Sequence, residues 1–137
     1  MRQITYDAAR AFIDGKPLTL GNTCTYAAER GQYEAQRLVE DHFFLYLFGN
    51  RIATKIPTKL PAKVGHIFKL TLAGWPTTTT RERLNGVLEL IGAKHRLYQK
   101  NYYQYYGPMC IGHNDNHNCM KGYFYPLHYD TLEQDSI

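Results

Sequence analysis

Four residues of the kinds that bind zinc lie close together near the end of the chain. Zinc takes four nitrogen or sulfur ligands in a tetrahedron, and the step from the first cysteine to the first histidine has a compatible spacing. The second pair is closer together than in most zinc sites. The pattern predicts either a structural zinc site, with His128 as a substitute ligand, or a polar loop with two free thiols. The four candidate ligands are Cys110, His113, His117 and Cys119.

Tyrosine is concentrated in a short stretch that also carries positive charge. Twelve of the 137 residues are tyrosine, and five of them lie between residues 98 and 106. Aromatic rings beside cations suit stacking on exposed bases with contacts to phosphates. The same composition is typical of a protein–protein hot spot, and it also suits packing against a helix. The candidate nucleic-acid or partner-binding residues are Arg81, Arg83, Lys94, Arg96, Tyr98, Lys100, Tyr102, Tyr103 and Tyr105.

The sequence carries no recognised catalytic motif. It has no glycine-rich phosphate loop, no G-x-S-x-G elbow and no H-E-x-x-H pair. Thr77–Thr80 followed by Arg81 suits an anion at a helix N-terminus, although a single threonine acting as a helix cap explains the same residues. We therefore expect a protein that is not an enzyme and that holds no cofactor, unless the structural zinc is present.

The length and charge narrow the class of protein. A chain of 137 residues with 44% hydrophobic and 20% charged residues is expected to form one globular domain. Residues 51–100 carry ten lysines and arginines against two glutamates. This segment predicts attraction to phosphates or to an acidic protein surface, or else a solvated face that protects strand edges. The sequence shows neither an apolar run of membrane-spanning length nor a signal peptide, so we expect a cytoplasmic protein.

Periodicity predicts two helices and about five strands that position these residues. The first helix is expected to begin with Thr5 as its N-cap and to end at Gly15. The second is expected to begin with a capping box formed by Thr79 and Glu82 and to bury Leu84 and the apolar residues that follow it.

The strands are expected to form hairpins. The apolar run 43–48 and the run 51–56 predict a hairpin around Gly49-Asn50. Residues 95–99 and 102–106 predict another around Lys100-Asn101, and residues 121–125 predict a last strand. Residues 27–41 predict either a short helix or two strands around Gly31.

These elements predict an α+β fold, with a mainly antiparallel sheet of about five strands and two helices on one face. Residues 1–106 are expected to form a single domain. Residues 107–137 are expected to form a Cys/His-rich extension packed on that domain, with a frayed C-terminal tail.

Several blocks of sequence resemble small, mostly uncharacterised proteins encoded by bacteriophages. The resemblance covers residues 1 to about 103 and is carried by two blocks above all. They read Leu45-Tyr-Leu-Phe-Gly-Asn-Arg-Ile-Ala53 and Ala73-Gly-Trp-Pro-Thr-Thr-Thr-Thr-Arg-Glu-Arg-Leu-Asn85.

This resemblance implies a protein that works in the cytoplasm of an infected bacterium by binding a host component. The partner implied is a host protein or ribonucleoprotein complex, and the sharpest version of the function is inhibition of a CRISPR-type defence. A DNA mimic is disfavoured because the chain is basic. Two alternatives stay open: a nucleic-acid-binding accessory protein with a basic, tyrosine-rich surface, and a zinc-stapled structural or assembly component.

Overall fold

The computed structural model describes residues 1–57, 66–113 and 121–126. A five-stranded antiparallel sheet has the order β1-β2-β5-β6-β7, and two helices pack together on one of its faces. The predicted α+β class is therefore confirmed. The helices are α1 (Gln3–Asp14) and α2 (Thr78–Leu90). The strands of this sheet are β1 (Leu18–Leu20), β2 (Thr23–Ala27), β5 (Phe43–Leu47), β6 (Asn50–Pro57) and β7 (His66–Leu70).

Strand β5 lies at the centre of the sheet, and its apolar side chains are buried on both faces. Phe43, Leu45 and Leu47 alternate toward the helices and belong to the main core with Phe12 of α1 and Leu88 of α2. A strand buried on both faces has no polar side chain to place in solvent, which explains the unbroken apolar run.

On the opposite face of β5, Arg51 packs on the buried ring of Phe44, and His42 of the segment 28–42 meets that ring edge-on. This segment contains a small hairpin of β3 (Tyr33–Glu34) and β4 (Arg37–Leu38), so the strand interpretation of residues 27–41 is confirmed. Its turn lies at residues 35–36, not at Gly31. Arg51 of β6 anchors the hairpin through two bonds to Glu34, of 2.6 and 2.8 Å, which hold the pKa of Glu34 below its ordinary value.

The helices begin at caps that differ from the predicted ones. Helix α1 follows Arg2, and Thr5 lies inside the helix with its side chain buried. Helix α2 is capped by Thr77, whose hydroxyl accepts from the backbone N–H of Thr80. The predicted capping box was wrong because Glu82 instead accepts from the hydroxyl of Thr5. This cross-helix bond is invisible to a local pattern.

The close approach of the two helices explains a glycine in the interior of α2. A Cβ on Gly86 would collide with Cγ2 of Thr5 in α1. A helix-interior glycine costs about 1 kcal/mol relative to alanine, so its presence here is offset by the packing of α1 directly on α2.

A second, three-stranded antiparallel sheet follows α2, with the order β10-β9-β8. Its strands are β8 (Leu97–Lys100), β9 (Tyr103–Tyr106) and β10 (Met109–His113). The predicted β8–β9 hairpin is confirmed, with its loop at Asn101-Tyr102, one residue later than expected. Strand β10 belongs to the segment predicted as an extension, and it pairs directly with β9.

Phe124 ties residues 121–126 to the main sheet. Two backbone hydrogen bonds of 2.9 Å join Phe124 to Leu70 of β7, and the Phe124 ring is buried in the core. The predicted last strand is reduced to this single bridge among the described residues. No helix in the described ranges is long and apolar enough to cross a membrane.

Candidate binding surfaces

The outward side of the second sheet gathers most of the predicted binding residues on one surface. Side chains alternate along a strand, so Tyr98 and Lys100 of β8 share a face with Tyr103 and Tyr105 of β9. Tyr102 lies beside them in the hairpin loop and is 77% exposed. We call this surface, together with the neighbouring residues of β10, the tyrosine face. Its members are Tyr98, Lys100, Tyr102, Tyr103, Tyr105, Cys110 and His113.

The inward side of the same sheet holds the tyrosine face in place. Leu97 and Tyr106 are buried in the core. The Asn85 side chain of α2 donates to the carbonyl of Leu97 at 3.0 Å and accepts from its N–H at 2.7 Å. These bonds pin strand β8 to α2, so the outward tyrosines are carried by a fixed scaffold.

The rings of the tyrosine face pack on one another. Tyr98 and Tyr105 are cross-strand partners, and their rings stack with centroids 5.3 Å apart and planes 14° apart. The Tyr98 hydroxyl also donates to the carbonyl of Gly107 at 2.8 Å. Tyr103 meets His113 edge-on at 4.4 Å. Aromatic rings fixed by their neighbours lose little freedom when a ligand stacks on them.

Three exposed cations of this region lie in a stretch of sequence without acidic residues. Lys94, Arg96 and Lys100 are exposed, and residues 93–113 contain no aspartate or glutamate. This stretch is therefore positive, which attracts phosphate groups or an acidic surface, while Glu82 and Glu89 of α2 line a cavity together with Arg96.

Arg81 supports the second sheet from beneath. Its guanidinium donates to the Pro76 carbonyl at 2.9 Å and to the side chain of Gln104 at 3.1 Å. Gln104 is buried on the inward side of β9 and also donates to Gln99. Arg81 therefore links the start of α2 to the inward side of the sheet, below the tyrosine face.

Arg83 lies in the interior, away from the surface on which the sequence placed it. It is only 2% exposed and donates to the hydroxyls of Thr5, at 2.7 Å, and Thr23, at 3.1 Å. A bond of 2.7 Å joins it to Glu82. These contacts tie α2 to α1 and β2, so Arg83 is out of reach of a nucleic acid or a partner.

A carboxylate at the edge of this cluster balances the buried charge. Glu82 accepts from Thr5 at 2.6 Å and from Arg2 at 2.7 Å. Burial acts to raise the pKa of Glu82, but the bonds from Arg2 and Thr5 and the charge of Arg83 hold it below its ordinary value. The ionised form is thus the one that the fold favours.

A bulge in β10 brings two of the predicted zinc ligands to one side of the strand. The register with β9 shifts between Cys110 and Gly112, so Cys110 pairs with Tyr105 and His113 with Tyr103. Residues three apart in a regular strand face opposite sides, and one extra residue corrects this. His117, Cys119 and His128 lie outside the described residues. Within the described ranges no three metal-binding side chains come together, and zinc stays a prediction.

A second surface, which the sequence did not indicate, lies beside the loop of the β5–β6 hairpin. A cleft of about 310 Å³ has the buried side chains of Leu47, Ile52 and Leu72 as its floor. Phe48 and Trp75 line its mouth and are 67% and 55% exposed. The remaining lining residues are one asparagine and two threonines. We call this the apolar cleft; it is formed where the two sequence blocks that resemble phage proteins meet.

The fold and these two surfaces define a small α+β protein with separate cationic and apolar aromatic surfaces. The model of one family, the Kyanoviridae Gp96 protein, matches residues 1–125. The chain belongs to this bacteriophage family, which confirms the phage origin implied by the sequence blocks. A search of the curated proteins found no match. A search of the solved structures also found none.

Proposed function

We propose that this phage protein is a non-enzymatic binding protein that modulates a host process by engaging a single strand of nucleic acid in the infected bacterial cytoplasm. The observation that carries the proposal is the tyrosine face, where four exposed or half-buried tyrosine rings and Lys100 share one scaffolded surface. Such a surface offers rings to unstacked bases and cations to phosphates.

The charge of the face supports an anionic partner such as a nucleic acid. Arg96 and Lys100 flank Tyr98 in the sequence, and residues 93–113 contain no carboxylate that would repel a phosphate. A double helix hides the faces of its bases within the stack, so a face that works by stacking should prefer single strands.

The phage origin supports a role in infection. In its most specific form, the proposal is that the protein inhibits a nucleic-acid-guided defence complex of the host. The protein would do so by contacting the guide strand or the target strand of that complex. This form of the proposal requires the same contact between the tyrosine face and a single strand. It adds that the host partner is a ribonucleoprotein.

Fluorescence anisotropy with labelled single strands of about 12 nucleotides tests the proposal, since sites of this kind span about 4–16 nucleotides. We expect an affinity for the single strand that falls steeply as the salt concentration rises. A duplex of equal length should bind more weakly. Replacing Tyr102 with asparagine should weaken binding about 5- to 150-fold, which corresponds to the 1–3 kcal/mol of one stacked base. The matched control is Tyr33→Ala, which removes an exposed ring from a different sheet. Equal affinity for single strand and duplex, or no effect of Tyr102→Asn, would refute the proposal.

A second candidate is an acidic host protein as the partner of the same face. Tyrosine and arginine are enriched at the centres of protein interfaces, and Arg96 lies beside the tyrosines. Affinity capture from the bacterial host, with and without nuclease, separates the two candidates. A stoichiometric partner that survives nuclease and is absent with Tyr102→Asn would move the acidic protein to first place.

A further inference from the structure

We infer that the apolar cleft is a docking site for one large apolar side chain presented by a protein partner. The inference does not depend on the tyrosine face, because the cleft is built from the β5–β6 hairpin and the segment that leads into α2.

The backbone conformation of Phe48, at the mouth of the cleft, indicates that its ring has a role other than stabilising the fold. Phe48 occupies the first loop position of the β5–β6 hairpin with a φ of 50°, and Gly49 follows with a φ of 77°. Both loop residues of a type I′ turn require positive φ, which glycine and asparagine adopt with little strain. A bulky residue in this region is strained, and here its ring is mostly in solvent. The fold alone gives no reason for phenylalanine at this position, so the exposed ring points to a ligand.

The two rings are held ready for a partner. The N–H of Phe48 donates to the carbonyl of Asn22 at 2.8 Å. On the other side of the mouth, the N–H of Trp75 donates to the carbonyl of Leu72 at 2.9 Å, and the carbonyl of Trp75 accepts from Thr77. Side chains mounted on a fixed backbone bind with a smaller entropy cost.

The lining selects the chemistry of the occupant. None of the lining residues is ionisable, so a charged group would enter the cleft without a counter-charge. A volume of about 310 Å³ lies at the small end of ligand sites and suits a single leucine, phenylalanine or tryptophan side chain. Exposed aromatic residues around an apolar pocket are the usual anatomy of a protein–protein hot spot.

A peptide library displayed on filamentous phage and panned against the purified chain tests the inference. We expect enriched peptides that share one large apolar residue, whose replacement by alanine weakens binding at least about tenfold. Trp75 is the only tryptophan, so its fluorescence should change when such a peptide is added.

Phe48→Asn is the decisive variant because asparagine tolerates the positive φ and the fold should be kept. It should weaken peptide binding at least about tenfold, with an equal or higher Tm. Trp75→Ala provides a second variant, and Tyr33→Asn, which removes an exposed ring outside both surfaces, is the matched control with unchanged affinity. Isothermal titration calorimetry measures the peptide affinity of all three variants.

Several results would overturn the inference. Panning that enriches no peptide, or peptides that bind Phe48→Asn as tightly as the wild type, would remove the site. Binding of toluene without any peptide binding would assign the cleft to small apolar ligands. A dimer in sedimentation velocity that becomes a monomer in Phe48→Asn would assign it to a second copy of the chain.

Discussion

The β5–β6 and β8–β9 hairpins end in the same kind of loop but carry different surfaces. Each loop has two residues with positive φ, and each places an exposed aromatic ring there, Phe48 in the first and Tyr102 in the second. The surroundings differ, because Phe48 borders an uncharged cleft whereas Tyr102 lies beside Lys100 in a stretch, residues 93–113, that contains no aspartate or glutamate. The turn therefore presents the ring, and neighbouring charges decide what the ring can bind.

The largest expected effect concerns a residue that belongs to neither surface. Arg83→Ala leaves Glu82 without its buried partner and the hydroxyls of Thr5 and Thr23 without their donor. We expect a loss of about 3 kcal/mol in the free energy of unfolding, measured by urea denaturation. The folded fraction should bind oligonucleotides and peptides unchanged.

The matched control for that experiment is Arg10→Ala. Arg10 is an exposed residue of α1 whose ion pair with Asp14 spans 3.8 Å, so its removal should change stability by less than about 0.5 kcal/mol. Equal losses in the two variants would contradict the assignment of Arg83 as an interior tie.

Charge reversal sharpens the contrast between the two hairpins. Arg96→Glu combined with Lys100→Glu should weaken single-strand binding by about tenfold or more at 50 mM salt, and by less at 200 mM. The slope of log affinity against log salt should become shallower, by roughly 0.7 for each phosphate that the protein no longer neutralises. An unchanged slope would show that these cations do not meet phosphates. Peptide binding at the apolar cleft should not respond.

Replacing the aromatic residue at positive φ tests whether the two hairpin loops carry the same backbone strain. Phe48→Asn and Tyr102→Asn each replace a bulky residue at positive φ by one that adopts this conformation readily. We expect each to raise the free energy of unfolding by about 0.5–1 kcal/mol, measured by chemical denaturation. A clear loss of stability in either variant would show that its ring contributes to the fold.

The smallest expected effect is a pH dependence at the cluster around Glu82. Because its pKa is lower in the folded state, its contribution is complete above the ordinary value of 4.5 and is lost as the pH falls through the lowered value. Its side chain is 29% exposed, so this contribution should stay below about 1 kcal/mol. The gap in unfolding free energy between the wild type and Glu82→Gln should therefore shrink from pH 7 to pH 3. A gap that is constant over this range would refute the linkage.

The sequence predicted the elements well where the pattern was local. The apolar run of β5, the apolar stripe of α2 and the β8–β9 hairpin are all visible as local sequence patterns. The fold class follows from these elements. The errors in helix capping arose because Thr5 and Glu82, 77 positions apart, bond to each other in the fold. Such a contact depends on the packing of α1 against α2, and no local spacing carries it.

The candidate sites were predictable to different degrees. The tyrosine face follows from strand alternation once the hairpin is known. The apolar cleft does not, because turn chemistry favours Gly49-Asn50 as the loop and gives no reason to place Phe48 at positive φ. The burial of Arg83 was hidden for the same reason as the caps, since its partners Thr5 and Thr23 come from other elements.

We propose that the tyrosine face, and not the apolar cleft, binds single-stranded nucleic acid. The most direct test is the anisotropy of one labelled single strand titrated with the wild type, Tyr102→Asn and Phe48→Asn under identical salt. We expect that Tyr102→Asn alone loses affinity while Phe48→Asn binds as the wild type does. Equal affinity for all three proteins, or a loss confined to Phe48→Asn, would contradict the claim.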